Sequence, residues 1–477
     1  MADPVGMLLI REGLISEAQL VQAKTHQKQN GGELKDSLIS LGLLTSETLS
    51  QILHPVPPVP LKITNTGLSE AFLTDLLLKA AYQEAGTFTL HAISKVLCLS
   101  FSIIDELIEL LKADQLVAIR SATGYGRETQ VFELTQRGRE RAEAALNSSL
   151  YVGAAPVPLK DYTRTLTQQY VQQIEVDSEW IHNSLKHMVV GEQLLNQLGP
   201  AFSSGRSIFL YGPPGTGKSS LAEALGRALP DQIYIPQAVE VSGQVIRLYD
   251  PSIHFSVEET QENTVLDVKA NSRHDPRWKK CRRPVVMVGG EFTLDMLDLR
   301  FDINSKFYEA PIQMKAANGV FILDDFGRQK MAPREMLNRW IVPLERGTDF
   351  LSLHTGMKFE IPFDQISIFC TNMRPMDLVD DAFLRRIRHK VRVPYSTEDE
   401  FKEILRRVCN AEGIAYDESV ANYFVDNYYR KENNGLVGSH PRDIIDQIID
   451  FSRFLKQPPI LTTATVDAAA ANYFVES

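Results

Sequence analysis

The chain has 477 residues, of which 44% are hydrophobic and 23% charged, and this size and composition indicate a globular protein of roughly two to four domains. Its formal net charge of -10 argues against a general nucleic-acid coat. The four cysteines form no C-x-x-C pair, so we expect a reducing compartment and neither a disulfide framework nor a zinc site. No apolar run is long enough to span a membrane, and the N-terminus lacks a secretory pattern, so the sequence predicts a cytoplasmic protein.

Residues 1–54 contain an internal repeat. Four positions of the first copy return 29 residues later: Leu9, Gly13, Ile15 and Leu20 recur as Leu38, Gly42, Leu44 and Leu49. Each copy predicts a helix that ends at its glycine, followed by Ser16 or Thr45 as the N-cap of another helix. The simplest interpretation is a small helical domain with a leucine core.

The first copy also resembles the N-terminal domain of type II secretion and type IV pilus ATPases. The resemblance is carried by Gly6, Leu9, Gly13, Ile15, Leu20 and Gln27. Some members of that family bind cyclic di-GMP, so the resemblance implies this cyclic dinucleotide as a candidate ligand of residues 1–54. Pro4 replaces an arginine, Lys24 replaces a leucine, and Lys35 replaces the glycine of the second copy. These departures favour the fold over the ligand.

Residues 55–65 predict a proline-rich linker, extended and semi-rigid. Residues 66–147 then predict three helices, a hairpin and a last helix. The hairpin strands are expected over residues 116–120 and 130–134, with a tip at residues 124–126.

This order of elements resembles a winged helix. The helix that would enter a DNA groove carries Asp105, Glu106 and Glu109, whose charges repel phosphates. We therefore favour a protein contact or a spacer role over DNA binding. Residues 148–160, rich in small residues and proline, predict a second linker.

A complete phosphate-binding motif, G-x-x-x-x-G-K-[ST], follows. Its residues are Gly212, Pro213, Pro214, Gly215, Thr216, Gly217, Lys218 and Ser219. Ser220, directly after the motif, is a further candidate for contact with the nucleotide phosphates. Residues 207–211 predict a buried strand before the motif, and a helix is expected from Ser220 to Leu229. Backbone N–H groups and the helix N-terminus then face the phosphates, Lys218 contacts the β- and γ-phosphates of ATP, and Ser219 binds Mg²⁺. The alternative is a glycine-rich turn that binds nothing, which the strand and helix around the full motif disfavour.

Two later strands end in polar side chains. Residues 320–323 form an apolar strand followed by Asp324 and Asp325, the Walker B pattern. We expect Asp324 to orient Mg²⁺ through water and Asp325 to lie beside the attacking water. Residues 366–370 predict another strand, after which Asn372 is placed to hold the same water against the γ-phosphate.

Together these elements resemble the AAA+ ATPases over residues 180–477. The resemblance implies a nucleotide-binding domain over residues 161–395 and a helical lid over residues 396–477. It also implies roles for further residues: sensor 1 at Asn372, an arginine finger at Arg385 or Arg386, sensor 2 at Arg442, and adenine contacts from Val190 and Gly191. The family generally has glutamate at the position of Asp325, and the shorter side chain implies slower hydrolysis or help from another acid.

The chain between the phosphate loop and Asp324 is longer than a minimal nucleotide-binding domain requires. It contains a basic cluster made of Arg273, Arg277, Lys279, Lys280, Arg282 and Arg283. Phe307 and Tyr308 precede a short helix. AAA+ machines often use an aromatic side chain in this part of the chain to grip substrate in a central pore. The alternative, that these two aromatics pack in the core, is at least as well supported. Residues 349–353 and 357–361 predict a hairpin that resembles one AAA+ clade, which includes unfoldases, chelatase motors and DNA-junction motors.

The sequence thus predicts a multidomain α/β protein. A P-loop AAA+ core with a parallel sheet and helical lid follows a small all-α N-terminal domain and a winged helix. The expected function is that of an ATP-hydrolysing motor with ATP and Mg²⁺ as cofactors. Resemblance favours a homo-oligomeric ring, a hexamer, that acts on a protein substrate or adaptor chosen by the N-terminal modules. The alternative is an ATP-gated regulatory or DNA-binding switch with little turnover.

Overall fold

The computed structural model describes residues 6, 9–10, 13–31, 34–45, 48–49, 56–122, 130–171, 174, 176–257, 274–431 and 435–474. Pro4, Arg273 and the predicted hairpin tip at residues 124–126 lie outside these ranges. No described helix is both long and apolar enough to cross a membrane.

The N-terminal repeat is visible in the backbone. Its described helices of known extent are α1, Glu17–Asn30, and α2, Leu34–Ser40. Gly13 and Gly42 have φ angles of +71° and +65°, which end the helix before each of them. In both copies the residue after the glycine donates its N–H to the leucine five positions earlier, at 2.9 Å in the first copy and 3.0 Å in the second. The repeat has its own apolar core: Leu9, Ile15, Leu20, Ala23, Leu34, Leu38 and Leu49.

The middle module contains every element predicted for residues 66–147. Its elements are α3 Glu70–Gln83, β1 Thr87–Thr89, α4 Leu90–Leu97, α5 Phe101–Ala113, β2 Val117–Ala122, β3 Gln130–Leu134 and α6 Gln136–Ser148. The short strand β1 was not predicted, and it completes an antiparallel sheet of order β1, β3, β2.

Two sheet layers occupy residues 157–392. Their elements are β4 Val157–Pro158, α7 Leu159–Gln168, α8 Ser178–Leu185, α9 Glu192–Ser203, β5 Ile208–Tyr211, α10 Lys218–Arg227, β6 Gln232–Pro236, β7 Ala238–Val241, β8 Gln244–Arg247, β9 Trp278–Arg282, β10 Val285–Val288, β11 Arg300–Asp302, β12 Phe307–Glu309, α11 Ile312–Lys315, β13 Gly319–Leu323, α12 Pro333–Arg346, β14 Thr348–Ser352, β15 Lys358–Pro362, β16 Gln365–Thr371, α13 Pro375–Leu378, α14 Asp381–Leu384 and β17 His389–Arg392. One sheet has the order β10, β13, β16, β5, β17, with every neighbouring pair parallel. Because parallel strands end at the same edge, the loops after β5, β13 and β16 meet there.

The chain inserted after the phosphate loop builds the second layer. It contributes most of a mixed sheet of order β11, β12, β8, β7, β4 and a separate ribbon of β6 with β9. The predicted hairpin is present as β14 and β15. Its tip contacts this layer, where the His354 ring stacks on Phe301 at a centroid distance of 4.2 Å.

The segment of residues 148–160, for which the sequence predicts a linker, is instead packed into the structure. Ala155 and Val157 are buried, and β4 pairs in parallel with β7. The Ala155 N–H donates to Leu97 O at 2.8 Å. The small side chains that suggest a linker allow this close packing between the middle module and the inserted layer.

The last elements form a helical lid. They are α15 Glu398–Ala411, α16 Glu418–Val425, α17 His440–Leu455 and α18 Thr463–Tyr473. Their apolar faces meet in a separate core that contains Phe401, Phe424 and Ile445.

Candidate functional site

The phosphate loop connects β5 to α10 at the edge where the parallel strands end. A Cβ built on Gly212 would lie 2.1 Å from Val393 O, so only glycine fits between the loop and the chain after β17. Gly217 is the N-cap of α10 with φ +81°, a backbone conformation that residues other than glycine rarely adopt. The N–H groups of the first turn of α10 have no intrahelical acceptors and are available to an anion.

Lys218 is buried, and its ammonium bonds only neutral partners among the described residues. Nζ donates to Gly212 O at 3.1 Å and to Pro213 O at 2.7 Å. Burial lowers the pKa of Lys218, an effect that the nearby Asp324 and Asp325 carboxylates oppose. A desolvated cation of this kind gains from a neighbouring anion, so the loop fits the phosphates of a nucleotide.

Ser219 and Asp324 form the second half of the site. Ser219 Oγ donates to Asp324 Oδ1 at 2.5 Å, and the Asp324 N–H donates to Val288 O at 2.8 Å, which fixes the carboxylate at the end of β13. The described residues contain no group of three or more His, Cys, Asp or Glu side chains able to hold a metal. One hydroxyl and one carboxylate suit Mg²⁺, which usually takes its remaining ligands from phosphates and water.

Asp325 and Asn372, predicted from separate strands, lie in contact. Asn372 Nδ2 donates to Asp325 Oδ1 at 3.2 Å. Asp325 has φ +47°, in the left-handed region, and its side chain is exposed. This arrangement leaves a carboxylate of fixed direction beside the phosphate loop.

Gln329 holds the turn after Asp325, and sequence reasoning did not find it. Its Nε2 donates to Asp324 O at 2.8 Å and to Asp325 O at 3.2 Å, and its Oε1 accepts from the Gly327 N–H at 2.9 Å. Thr371 Oγ1 donates to Phe326 O at 2.7 Å and ties the same turn to the strand before Asn372. These side chains act on backbone atoms, which leaves no motif in the sequence.

The predicted adenine-side residues lie between the core and the lid. Gly191 is the N-cap of α9, and a Cβ built on it would lie 2.5 Å from Glu400 Oε1 of α15. Arg407 Nη1 donates to Met188 O at 3.1 Å, and Met188 Cε lies 3.9 Å from a Cβ built on Gly217. The segment that contains Val190 therefore runs beside the phosphate loop.

The lid touches the loop near the predicted sensor 2. The Ser439 N–H donates to Gly215 O at 3.0 Å, and α17 begins at the next residue. Arg442 lies in the first turn of α17 with its side chain exposed. Its predicted contact with phosphate stays a prediction, as does that of Ser220, which is exposed in the first turn of α10.

The structure distinguishes the two candidate finger arginines. Arg386 Nε donates to Glu345 Oε1 at 2.6 Å and is one quarter exposed. Arg385 is exposed at the end of α14 and lines a cleft that also contains Asn372.

Two other features of the insertion are structural. Arg277 and Arg283, from the basic cluster, are buried and paired with Asp275 and Asp231. Tyr308 is 1% exposed and bonds His354 at the tip of the β14–β15 hairpin, so it packs in the core and is not available to grip a substrate.

Comparison with protein families matches residues 191–339 to the AAA ATPase domain. The match includes the phosphate loop, Asp324 and Asp325. Residues 397–472, in the lid, match a domain of unknown function. No curated protein matches the sequence.

Solved structures similar to this chain include the Thermotoga maritima RuvB Holliday junction branch migration motor, at 14% identity and a TM-score of 0.33, covering 62% of this chain and 70% of that one. NtrX from Brucella abortus in complex with ATP is similar at 11% identity and a TM-score of 0.35, covering 78% and 62%. The prediction of a multidomain α/β protein with a P-loop AAA+ core is confirmed by the family match and the parallel sheet. Similarity of this extent indicates nothing about substrate.

Proposed function

We propose that the AAA domain hydrolyses ATP to ADP and phosphate. The observation that supports this most directly is the pair of contacts between Ser219 and Asp324 and between Asn372 and Asp325. They bring a hydroxyl, two carboxylates and an amide to the edge of the sheet that carries the phosphate loop. Phosphoryl transfer to water needs this set of groups.

The binding residues work by positioning and by charge. Lys218 exchanges its bonds to Gly212 O and Pro213 O for phosphate oxygens, which gives the buried ammonium an anionic partner. Ser219 and Asp324 would hold Mg²⁺, which would supply positive charge against the phosphates. Val190 and Gly191 contact the adenine.

The reacting water is held by Asp325, whose carboxylate accepts a hydrogen bond from it. Asn372 fixes the direction of that carboxylate. Water then attacks the γ-phosphorus as the bond to ADP breaks. Arg385 from a neighbouring subunit and Arg442 from the same chain neutralise the charge on the transferred group.

The test is Asp325→Asn. We expect ATP to bind with parental affinity and phosphate release to fall by about a hundredfold or more, because an amide is a weaker acceptor than a carboxylate and cannot take a proton from the water. Asp450→Asn, on α17 with a side chain 70% exposed, is the matched control and should keep parental turnover. Parental turnover in Asp325→Asn would contradict the role of this residue, and failure of the parental chain to bind ATP would contradict the function.

We also propose that the chain forms a homo-oligomeric ring, with a hexamer favoured, that remodels a protein. Arg385 supports the ring because it is exposed beside the site, whereas Arg386 is engaged by Glu345. In a ring, Arg385 would reach the ATP site of the next subunit. Its positive charge would neutralise the negative charge on the γ-phosphate that the residues of one chain leave unmatched.

The middle module, winged-helix-like in our proposal, contacts protein in preference to nucleic acid. Ser100 Oγ donates to Pro60 O at 3.0 Å and Ser102 Oγ to Leu61 O at 3.1 Å. The chain before the module therefore lies against the start of α5, the helix that would enter a DNA groove. Residues 1–54 dock a partner or bind cyclic di-GMP.

The second candidate function is an ATP-gated regulatory switch with little turnover. Asp325 favours it, because the family generally has glutamate there and the shorter side chain reaches less far. Steady-state phosphate release separates the two functions: a motor turns over repeatedly, and a switch binds ATP with little release.

A further inference from the structure

A cleft of about 940 Å³ lies beside the phosphate loop, at the edge formed by the ends of β5, β16 and β17. Pro213 and Pro214 form part of its wall, but Lys218, Ser219 and Gly191 do not line it. The cleft therefore shares part of its wall, including Gly212 and Asn372, with the proposed ATP site, but it does not include Lys218 or Ser219, which would hold the phosphates and Mg²⁺. Its volume is that of a site for a ligand or a short chain segment.

The cleft is basic in a chain whose net charge is -10. Asp381 is the one acidic residue among its described lining, and the cations are Arg374, Arg385, Lys390 and Arg392. All four cations are exposed. Lys390 and Arg392 share the solvent face of β17, because successive strand residues point to opposite faces and the intervening valine is buried.

Between the cations the wall is apolar and adaptable. Met376 is 77% exposed, Tyr395 42% and Met373 40%. Methionine side chains are flexible and adjust to apolar groups of different shape. Single-stranded nucleic acid requires successive aromatic platforms, and Tyr395 is the one largely exposed aromatic in the described lining. The single exposed aromatic and the exposed methionines therefore favour a peptide.

We propose that this cleft binds an extended segment of a protein partner that combines acidic and apolar side chains. Arg374, Lys390 and Arg392 pair with its carboxylates, while the methionines and Tyr395 contact its apolar side chains. Binding is independent of the proposed ATP hydrolysis, and only the coupling described next rests on it.

The wall of the cleft is joined to the turn that carries Asp325. Asn372 bonds Asp325 at 3.2 Å, and Thr371 Oγ1 donates to Phe326 O at 2.7 Å. On the far side of the same wall, a Cβ built on Gly327 would lie 2.6 Å from Leu378 Cδ2. Residues 373–376 thus lie between two contacts with this turn. A segment bound against them changes the position of the Asp325 carboxylate and with it the rate of ATP hydrolysis.

The binding test uses the full chain without nucleotide and a short fluorescein-labelled peptide of glutamate and leucine, followed by anisotropy. We expect saturable binding that weakens as ionic strength rises. Combining Lys390→Glu with Arg392→Glu should weaken it about tenfold. Arg388→Glu is the matched control, because Arg388 is exposed just before β17 but does not line the cleft. Met376→Ser should also weaken binding, whereas Ile303→Ser, which removes a side chain 79% exposed elsewhere, should not.

Two results would overturn the proposal. Tighter binding of a single-stranded oligothymidylate, lost in the β17 double variant, would make the cleft a nucleic-acid site. Absence of peptide binding together with a changed sedimentation coefficient in the double variant would make it an interface between copies of the chain.

Phosphate release measured with the same peptide tests the coupling. We expect the peptide to change the rate in the parental chain and not in the double variant. Peptide binding without ATP hydrolysis would contradict the proposed function and leave the cleft assignment intact. Hydrolysis that is unaffected by saturating peptide would contradict the coupling alone.

Discussion

The backbone at Asp325 restricts which side chain this position accepts. Its φ of +47° lies in the left-handed region, which aspartate and asparagine adopt more readily than glutamate. The turn is fixed from both sides, because the Asp325 N–H donates to Asp324 Oδ1 at 2.9 Å and Gln329 donates to Asp325 O. The departure from the glutamate of the AAA+ pattern therefore has a local cause in the geometry of the turn.

Replacing Asp325 with glutamate tests this explanation. We expect Asp325→Glu to lower the free energy of unfolding by about 1 kcal/mol, because glutamate is disfavoured in the left-handed conformation. Turnover should fall as well, since the longer side chain carries the carboxylate past Asn372. Unfolding in urea and phosphate release are the measurements, with Asp450→Glu on the exposed face of α17 as the control. A variant with parental stability and faster hydrolysis would instead mean that the native residue is tuned for slow switching.

The sequence was sufficient to predict those strands and helices whose pattern lies within one continuous segment. The phosphate loop, the strand before Asp324 and the strand before Asn372 each form one continuous segment, so pattern and spacing are sufficient to find them. Sequence failed where burial depends on a distant segment. Residues 148–160 have the composition of a linker, yet Tyr151, Ala155 and Val157 within them are buried because the middle module and the inserted layer pack against them. Arg277 is indistinguishable from its exposed basic neighbours until its partner is known.

The buried pair of Arg277 and Asp275 joins three segments. The side chains are 4% and 2% exposed, and Arg277 Nη1 also donates to Thr66 O at 3.1 Å and Pro156 O at 3.3 Å. We expect Arg277→Ala to cost about 3–5 kcal/mol, because it leaves a buried carboxylate without its cation. Calorimetry should show a lower melting temperature than in Arg282→Ala, which removes an exposed arginine at the end of β9, the strand that follows Arg277. Equal melting of the two variants would contradict the role of the pair.

A buried carboxyl group directly before β16, at the sheet edge opposite the phosphate loop, gives stability a pH dependence. Burial raises the pKa of Asp364 from 3.8 to about 7, although the Val171 N–H, Asn318 and Arg283 act to lower it. The folded chain therefore holds a proton that the unfolded chain releases, so this group makes stability fall as pH rises from about 4 to about 7. His254, whose pKa burial lowers to about 4, contributes the opposite slope.

Asp364→Asn isolates the first contribution. The contribution of His254 is present in both chains and cancels in their difference. We expect the free energy of unfolding of the variant, relative to the parental chain, to rise by up to about 4 kcal/mol across this pH range. Urea unfolding at several pH values measures it, and parallel curves for the two chains would contradict the assignment.

In the molecule as a whole, the modules differ in how closely they are joined. The core of the middle module includes Ala238 and Val245 from the inserted layer, and Lys306 Nζ donates to Asn147 O at 2.5 Å. Residues 1–54, by contrast, have a core of their own. The middle module and the inserted layer are therefore joined through a shared core. The cleft residues and Arg385 lie at the edge of the parallel sheet and in the short helices that follow β16, apart from both of these modules.

The ring model predicts which pairs of defective chains restore each other. Lys218→Ala should not bind ATP, while Arg385→Ala and Arg386→Ala should bind it without turnover. Mixing Lys218→Ala with either arginine variant should recover part of the phosphate release, because one chain supplies an intact loop and its neighbour an intact arginine. Arg442→Ala mixed with Lys218→Ala should recover none, since both residues serve a site from the same chain.

The two arginines should also differ in stability. Arg386→Ala loses the contact with Glu345 and should melt earlier, whereas Arg385→Ala should melt as the parental chain does. If phosphate release recovers in the mixture of Lys218→Ala with Arg385→Ala but not in the mixture with Arg386→Ala, Arg385 is the residue that reaches the neighbouring site. If mixing restores neither arginine variant, the arginine acts on the ATP site of its own chain. Arg385 would then reach that site from its exposed position in the cleft that Asn372 and Pro213 also line.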